Sequence, residues 1–529
     1  MSALHLRLPS PVGGGHRAVL NRRIHDLLLL AAAGLVPLLL ALAVAVAVPN
    51  PNYPLVLGIV LGAVVLVMLV ANTRLEISVT FLAFFLGCID GPLKLVSSGG
   101  TAVSALQNVL ILAVCLGMLM RLLARREPVR LPPLFGWVLA FVLVVLIEAF
   151  NPKTQGVLKT LAGFRDQLQW VPFFFFGYVL IRSKARLRKL FLVLGVLALA
   201  NGVVSTYQTQ LGVAQVASWG PGYYQQVYGK GKLTGRTYKS EGVSRVRPMG
   251  LGDQSGVGGG FGVVAIAGTF ALLATMRKRR WALVLLCFGA MAAIATGLGR
   301  LQVGGGVLTV FFYAMLSLSA GRRMTRPLLA LLVVLAVALP VGVVFISAVG
   351  EGVFSRYASI SPSSAATTAT TYKQGEILSI PHDLVHDPFG FGLGTAGAAG
   401  SFGGKVTEEL EGHNVNSETQ YNFLVDELGL PGLIVWSAFV IRLGILAVRR
   451  LRDFADLELQ IYLAAVFAPL IAQFFMGFDG PVSASSSIAP YLWFAAGIGA
   501  YWLVGPGRAL AARRVAVRTV GQVRPAGAV

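Results

Sequence analysis

Apolar runs of about 20 residues recur from one end of this chain to the other, each long enough to cross ~30 Å of hydrocarbon as a helix. Inside a bilayer no water satisfies backbone N–H and C=O groups, so a spanning segment must be a helix or part of a closed barrel. The runs are continuous and do not alternate with polar residues, which excludes the barrel. Charged residues make up 12% of the 529 positions, against roughly 25% in soluble proteins. The expected fold is an all-α polytopic membrane protein.

Spans are expected at 27–48, 54–71, 75–90, 102–124, 132–150, 164–182, 187–211, 252–275, 281–298, 300–320, 327–349, 432–448, 457–477 and 487–505. That gives about fourteen transmembrane helices, or twelve if 54–71 and 75–90 do not cross. The run at 75–90 is short and opens with Glu76. The first run is longer than the roughly 7–15 apolar residues of a signal peptide and reads as a retained span.

A net charge of +22 suggests nucleic acid in a soluble protein. In a polytopic membrane protein it marks cytoplasmic loops, whose lysines and arginines set orientation, so no nucleic-acid partner is expected. Every second loop is basic: Arg121, Arg125, Arg126 and Arg130; Arg182, Lys184, Arg186, Arg188 and Lys189; Arg277, Lys278, Arg279 and Arg280; Arg322, Arg323 and Arg326; Arg449, Arg450 and Arg452. The N-terminal segment, with Arg17, Arg22 and Arg23, and the tail over 508–524 fall on the same side. Both termini are therefore expected in the cytoplasm.

This alternation divides the chain into N-terminal helices (1–211), a first large external loop (212–251), central helices (252–349), a second large external loop (350–431), and C-terminal helices with a basic tail (432–529). Long loops in a compact protein tend to be functional or disordered; within the second, 359–371 is rich in Ser, Ala and Thr. Cys88, Cys115 and Cys287 lie inside apolar runs and form neither a disulfide framework nor a metal spacing.

Three polar groups stand at expected outer helix ends. His413 and Asn414 precede a segment, 418–428, with Tyr421, Leu424, Val425 and Leu428 at helical spacing. Ser417 is a plausible N-cap and Gln420 completes a capping box, while Gly429 and Pro431 form a stop signal. The expectation is a short amphipathic helix on the outer membrane face. At its N-terminus orphan amides favour an anion, and a neutral imidazole there can accept a hydroxyl proton. Arg300 follows Thr296-Gly297-Leu298-Gly299 at a junction of two spans, where an arginine wants an anionic or carbonyl partner. Arg247 lies just before a span, with Gly250, Gly252, Gly256 and Gly258 beyond it. Guanidiniums bind phosphate bidentately and keep their charge, so the two arginines suit a lipid-linked diphosphate. Tyrosines in 212–251 fit a sugar-stacking surface and an interfacial belt equally well. His382 and His386 are four apart, but Pro381 and Pro388 bracket them, so they are not expected to share a helix or hold zinc.

Read together, these residues form a pattern. His413-Asn414 leading to Asp426-Glu427-Leu428-Gly429-Leu430-Pro431-Gly432, preceded by Asp387-Pro388-Phe389-Gly390-Phe391-Gly392-Leu393-Gly394, resembles the signature of the O-antigen ligase and O-antigen polymerase superfamily of bacterial membrane glycosyltransferases. The resemblance covers roughly 164–448 and extends to Arg247 with Gly250 and to Arg300. The chain departs from the family pattern in Gly299, where serine is usual, in Leu301, where a small residue is usual, and in Asp253-Gln254-Ser255, where Pro-Asn is common.

The resemblance implies a metal-independent, cofactor-free transferase of the GT-C type in the bacterial inner membrane. Its donor would be an undecaprenyl-diphosphate-linked oligosaccharide and its acceptor a hydroxyl of a glycan or lipid at the extracytoplasmic face. His413, Arg300 and Arg247 would be catalytic; Arg245, Asn414, Arg165 and Tyr421 would contact substrate. A repeat-unit polymerase is favoured, because 212–251 is long and basic enough to grip a second diphosphate. A ligase passing glycan to lipid, protein or wall acceptors is the alternative. A transporter or flippase is the alternative of another class; it predicts mid-membrane charges and paired broken helices, for which Asn201 and Arg442 are the strongest candidates inside spans.

Overall fold

A computed structural model of the chain describes residues 75–97, 101–125, 131–319 except 155, 230–231, 234–235 and 241–242, then 374–396 and 419–508, with scattered positions between 62 and 74. The expected spans at 27–48 and 327–349, most of 54–71, and His413 and Asn414 lie outside the described residues.

The protein is mostly helical. In chain order the helices are α1 (Leu75–Val96), α2 (Thr101–Arg125), α3 (Phe135–Glu148), α4 (Val157–Leu168), α5 (Pro172–Leu180), α6 (Lys184–Thr209), α7 (Val213–Ala217), α8 (Pro221–Val227), α9 (Val257–Thr275), α10 (Arg280–Thr296), α11 (Arg300–Ser319), α12 (Gln374–His386), α13 (Gln420–Arg450), α14 (Leu457–Met476) and α15 (Ala489–Gly499). Among the described residues six are long and apolar enough to cross a membrane: α1, α6, α9, α11, α13 and α14. The run expected at 75–90 thus continues to Val96, through a π-helical turn at Phe85–Ile89.

Two expectations are corrected. The span at 164–182 is two short helices, α4 and α5, broken at Trp170 and restarted by Pro172 at the first helical position, where a missing N–H does no harm. The segment 418–428 is not an amphipathic surface helix. Residues 420–429 are buried on every side and form the first part of α13, capped by Thr419, whose Oγ1 accepts from Asn422 N at 3.1 Å. Gly429 (φ 60°, ψ −158°) kinks the helix before Pro431, so the expected stop becomes a bend between two helical pieces.

The described residues fall into two compact units. The smaller holds Ala105–Leu131 with Leu82 and the described residues before it. There Gly117 lets α2 approach Leu69, and Arg121 Nε donates to Gly117 O at 2.7 Å. The larger unit holds Ala83–Ser104 and the chain from Pro132 onward.

In the larger unit small residues bring helix backbones together, the packing mode expected where lipid supplies no hydrophobic drive. A Cβ on Gly202 of α6 would lie 2.5 Å from Gly289 O of α10, and one on Gly497 of α15 would lie 1.9 Å from Phe174 O of α5. One end of this unit is basic. There Lys184 Nζ meets Asp456 at 2.7 Å and Glu458 at 3.1 Å, Arg188 pairs with Glu458, and Thr275 Oγ1 lies 2.7 Å from Tyr462 OH. The opposite end gathers the C-termini of α6, α10 and α14 and the N-termini of α9, α11 and α13.

The segment 212–251 is folded on that opposite end. It adds two antiparallel strand pairs that an all-α expectation does not contain: β1 (Tyr228–Gly229) with β2 (Lys232–Leu233), and β3 (Thr237–Ser240) with β4 (Val243–Val246). A small apolar core of Leu95, Leu211, Val216, Tyr223, Val227 and Val246 fixes it to the end of α1.

Candidate active site

The turn that carries Arg247 is held by two buried amides of α6. Gln208 Oε1 accepts from Met249 N and Gly250 N, both at 2.9 Å, and Gln208 Nε2 donates to Gly250 O at 3.1 Å. About two turns earlier, Asn201 Oδ1 accepts from Leu251 N at 2.9 Å, while its Nδ2 donates to Gly87 O of α1 at 2.9 Å. Gly250 takes φ 65°, and a Cβ there would lie 2.8 Å from Asn201 Oδ1, so glycine serves both the backbone and the space. Arg247 N donates to Arg236 O at 2.8 Å and Ser255 Oγ donates to Arg247 O at 3.3 Å. Arg247 is half-buried. Arg245, in β4, donates to Thr209 O and bridges to Gly212, fastening the hairpin to the end of α6.

Arg300 is the first residue of α11 and is exposed. The connection from α10 is tight, with Leu298 at φ 49°. Gln302, one half-turn on, fills the space beside Gly256 at the start of α9: a Cβ on Gly256 would lie 2.6 Å from Gln302 Nε2. Gly256 N in turn donates to Pro248 O at 3.1 Å. The Arg247 turn and the first turn of α11 are thus joined through a single glycine.

The start of α13 reaches the same place. Gln420 N donates to Gly477 O at 2.8 Å, and Gln420 Oε1 accepts from Ser483 N at 2.7 Å. A Cβ on Gly480, between those two anchors, would lie 3.1 Å from Leu301 Cδ2. The start of α13 therefore lies near the residue after Arg300.

Charged groups line this end. Lys94 Nζ lies 2.6 Å from Asp90 Oδ2 and 3.4 Å from Asp253 Oδ2. Arg165, on α4, contacts Asp166 at 3.1 Å and lies within electrostatic reach of Asp90. Arg236 is drawn below its ordinary value by burial, partly offset by Asp253; a guanidinium remains charged regardless. Arg165 is thus placed with the charged groups at this end.

Tyr421 is buried. Its hydroxyl donates to Phe474 O at 2.7 Å and its ring packs on Phe478, 4.5 Å between centroids. Its polar atom is committed to the protein, and we read it as a packing residue.

The glycine-rich stretch 387–394 and the turn 426–432 are one unit. Phe391 N donates to Asp426 O at 2.7 Å and Leu430 N donates to Pro388 O at 2.8 Å. Asn151, just beyond α3, donates to Glu148 Oε2 at 2.8 Å and to Gly390 O at 3.4 Å. Among the described residues no group of three or more His, Cys, Asp or Glu side chains is arranged to hold a metal. His382 and His386 do share a helix, contrary to expectation. α12 runs through Pro381, and the two rings stack at 4.1 Å.

Sequence reasoning missed Gln208, Gln302 and Lys94. A buried amide in an apolar run is the signal that could have found Gln208: a polar side chain there needs partners.

No family model matches this chain, and neither a curated protein nor a solved structure does.

Proposed function

We propose that the protein is a membrane glycosyltransferase. It moves glycan from a lipid diphosphate donor to an acceptor hydroxyl, at the end of the bundle opposite the basic loops. The observation that carries this reading is the junction of three sequence segments far apart in the chain. The Arg247 turn, the Arg300 turn and the start of α13 meet through Gly256, Gln302, Leu301 and Gly480.

In this reading Arg247 and Arg300 neutralise the charge that develops on the departing diphosphate. Diphosphate is a good leaving group, so the protein needs mainly to hold charge and align reactants. His413 receives or orients the acceptor proton, with Asn414 beside it. Arg165 and Arg245 stand at the same end and add positive charge for the donor. The charge alternation of the loops supports an extracytoplasmic position for that end, and the family resemblance implies a bacterial inner membrane. The resemblance to the O-antigen ligase and polymerase superfamily, in the segments 387–394 and 426–432, supports the same reading, because those segments hydrogen-bond to each other.

Polymerisation is the favoured reaction, since the folded 212–251 segment brings Arg236, Arg245 and Arg247 to this end. Transport is less well supported. Asn201 is committed to Gly87 and Leu251, and Arg442 is exposed on the outer surface of α13.

The test is purified protein with a synthetic lipid-diphosphate-linked repeat unit and no other acceptor. A ladder of products supports polymerase, while product formed only with an added lipid or glycan acceptor supports ligase. Alanine at His413, Arg247 and Arg300 should abolish product while the protein still reaches the membrane. Near-normal product from all three variants would end the proposal.

A further inference from the structure

Glu427 is fully buried. A buried carboxylate near a proposed site invites a proton-transfer role. Its surroundings point elsewhere. Glu427 Oε2 accepts from Gln167 Nε2 of α4 at 2.7 Å. Glu427 Oε1 accepts from the backbone N–H of Gly394 at 3.1 Å and of Ala396 at 3.3 Å. Both oxygens are therefore occupied by donors from two other segments, and burial makes each of those donors dependent on the carboxyl.

The same three segments are pressed together by glycine. A Cβ on Gly163 of α4 would lie 2.0 Å from Gly394 N, and one on Gly394 would lie 2.3 Å from Lys159 O. Gly394 takes φ 83°, a conformation that suits glycine. The backbone of 393–396 thus runs against α4 at van der Waals limit, and Glu427 bonds both sides of that contact. Arg165 is two residues from Gln167 on α4, and Ala396 is the last described residue before the stretch containing His413.

We propose that Glu427 is a positioning residue: its carboxyl clasps Gln167 and the Gly394 and Ala396 amides, setting α4, with Arg165, against the point where the chain enters the His413 stretch. The proposal rests on the donor and acceptor roles proposed above for Arg165 and His413. The clasp itself does not, and it is measured separately.

Gln at position 427 keeps one oxygen for the two amides and offers an NH2 to Gln167, which satisfies it by turning its own amide over. Alanine removes every bond. A proton-transfer group would lose function equally in both. The probe is a cysteine at Ala396, which is 2% exposed, in a background where Cys88, Cys115 and Cys287 are alanine, treated with a membrane-impermeant maleimide. With Glu427 intact the cysteine should resist labelling. Glu427→Ala should raise its labelling rate at least tenfold and remove most product. Glu427→Gln, and the exchanged pair Gln167→Glu with Glu427→Gln, should stay protected and keep at least a third of product formation. Gln167→Glu alone, which sets two carboxyls face to face, should label like Glu427→Ala.

Protection that survives Glu427→Ala would overturn the clasp. So would a Glu427→Gln protein that is protected yet as inactive as alanine, because Glu427 would then be handling a proton. If no variant, nor the parent protein, forms product while the labelling pattern holds, the enzyme reading fails and the clasp stands.

Discussion

Gln208→Leu tests whether α6 holds the Arg247 turn. Leucine nearly matches glutamine in volume, so packing changes little and the loss is polar. Three hydrogen bonds disappear: those from Met249 N and Gly250 N, and that to Gly250 O. Gln208 is 3% exposed and Met249 1% exposed, so water does not easily replace the side chain. Interhelical polar contacts in membrane proteins average about 0.6 kcal/mol, which sets a lower bound of roughly 2 kcal/mol for three. A buried group left without a partner costs about 1–3 kcal/mol in soluble proteins, which sets an upper range near 5 kcal/mol. At roughly 1–2 °C per kcal/mol for a chain longer than the usual single domain, the melting temperature in detergent should fall by about 2–10 °C. Gln208→Glu keeps an acceptor for both amides and loses only the donor to Gly250 O, so it should fall between Leu and the parent. Product formation should drop further than stability in the leucine variant, because the turn carries Arg247. A Gln208→Leu protein melting within about 1 °C of the parent would refute the reasoning.

Three further outcomes follow from the structure. Tyr421→Phe removes the bond to Phe474 O and should cost about 1 kcal/mol of stability while leaving product formation intact; lost product with unchanged melting would return Tyr421 to the substrate site. Gly163→Ala forces a Cβ to within 2.0 Å of Gly394 N, so the backbone must shift; thermal melting and product should both decline, and an unaffected variant would contradict the close approach. Asp456 feels burial, which raises its pKa, but the Lys184 hydrogen bond and the Leu459 amide outweigh this and hold it below the usual carboxylate value. Its contribution to stability is therefore present above the unfolded value near 3.8 and is lost as pH falls through the lower folded value. Melting scans from pH 6 downward should lose stability below about pH 4, less steeply in Asp456→Asn; identical slopes would exclude Asp456 as a source.

What the sequence determined by itself is the membrane-embedded, helical class and the bounds of several of the described helices. Continuous apolar runs can satisfy their backbones in lipid in one way, and α6, α9, α10, α11 and α14 begin and end within a few residues of expectation. Glycine and proline act locally, so an interruption at Gly429-Leu430-Pro431 was legible, but as a helix stop rather than the bend it is. The run at 75–90 was expected to be short; in the fold Lys94 meets Asp90 within α1 and also Asp253, and the helix continues past them to Val96. The burial of 420–428 was not legible, since its polar residues find partners on α14 and beyond, at Phe474, Gly477 and Ser483. Nor were the strand pairs of 212–251, whose β4 is fastened through Arg245 to Thr209 and Gly212 at the end of α6. Tertiary structure alone decided which polar side chains became staples, Gln208, Asn201 and Glu427, because a buried hydrogen bond is defined by its partner, and these partners are distant in the chain, as Gly87 is from Asn201 and Gln167 from Glu427.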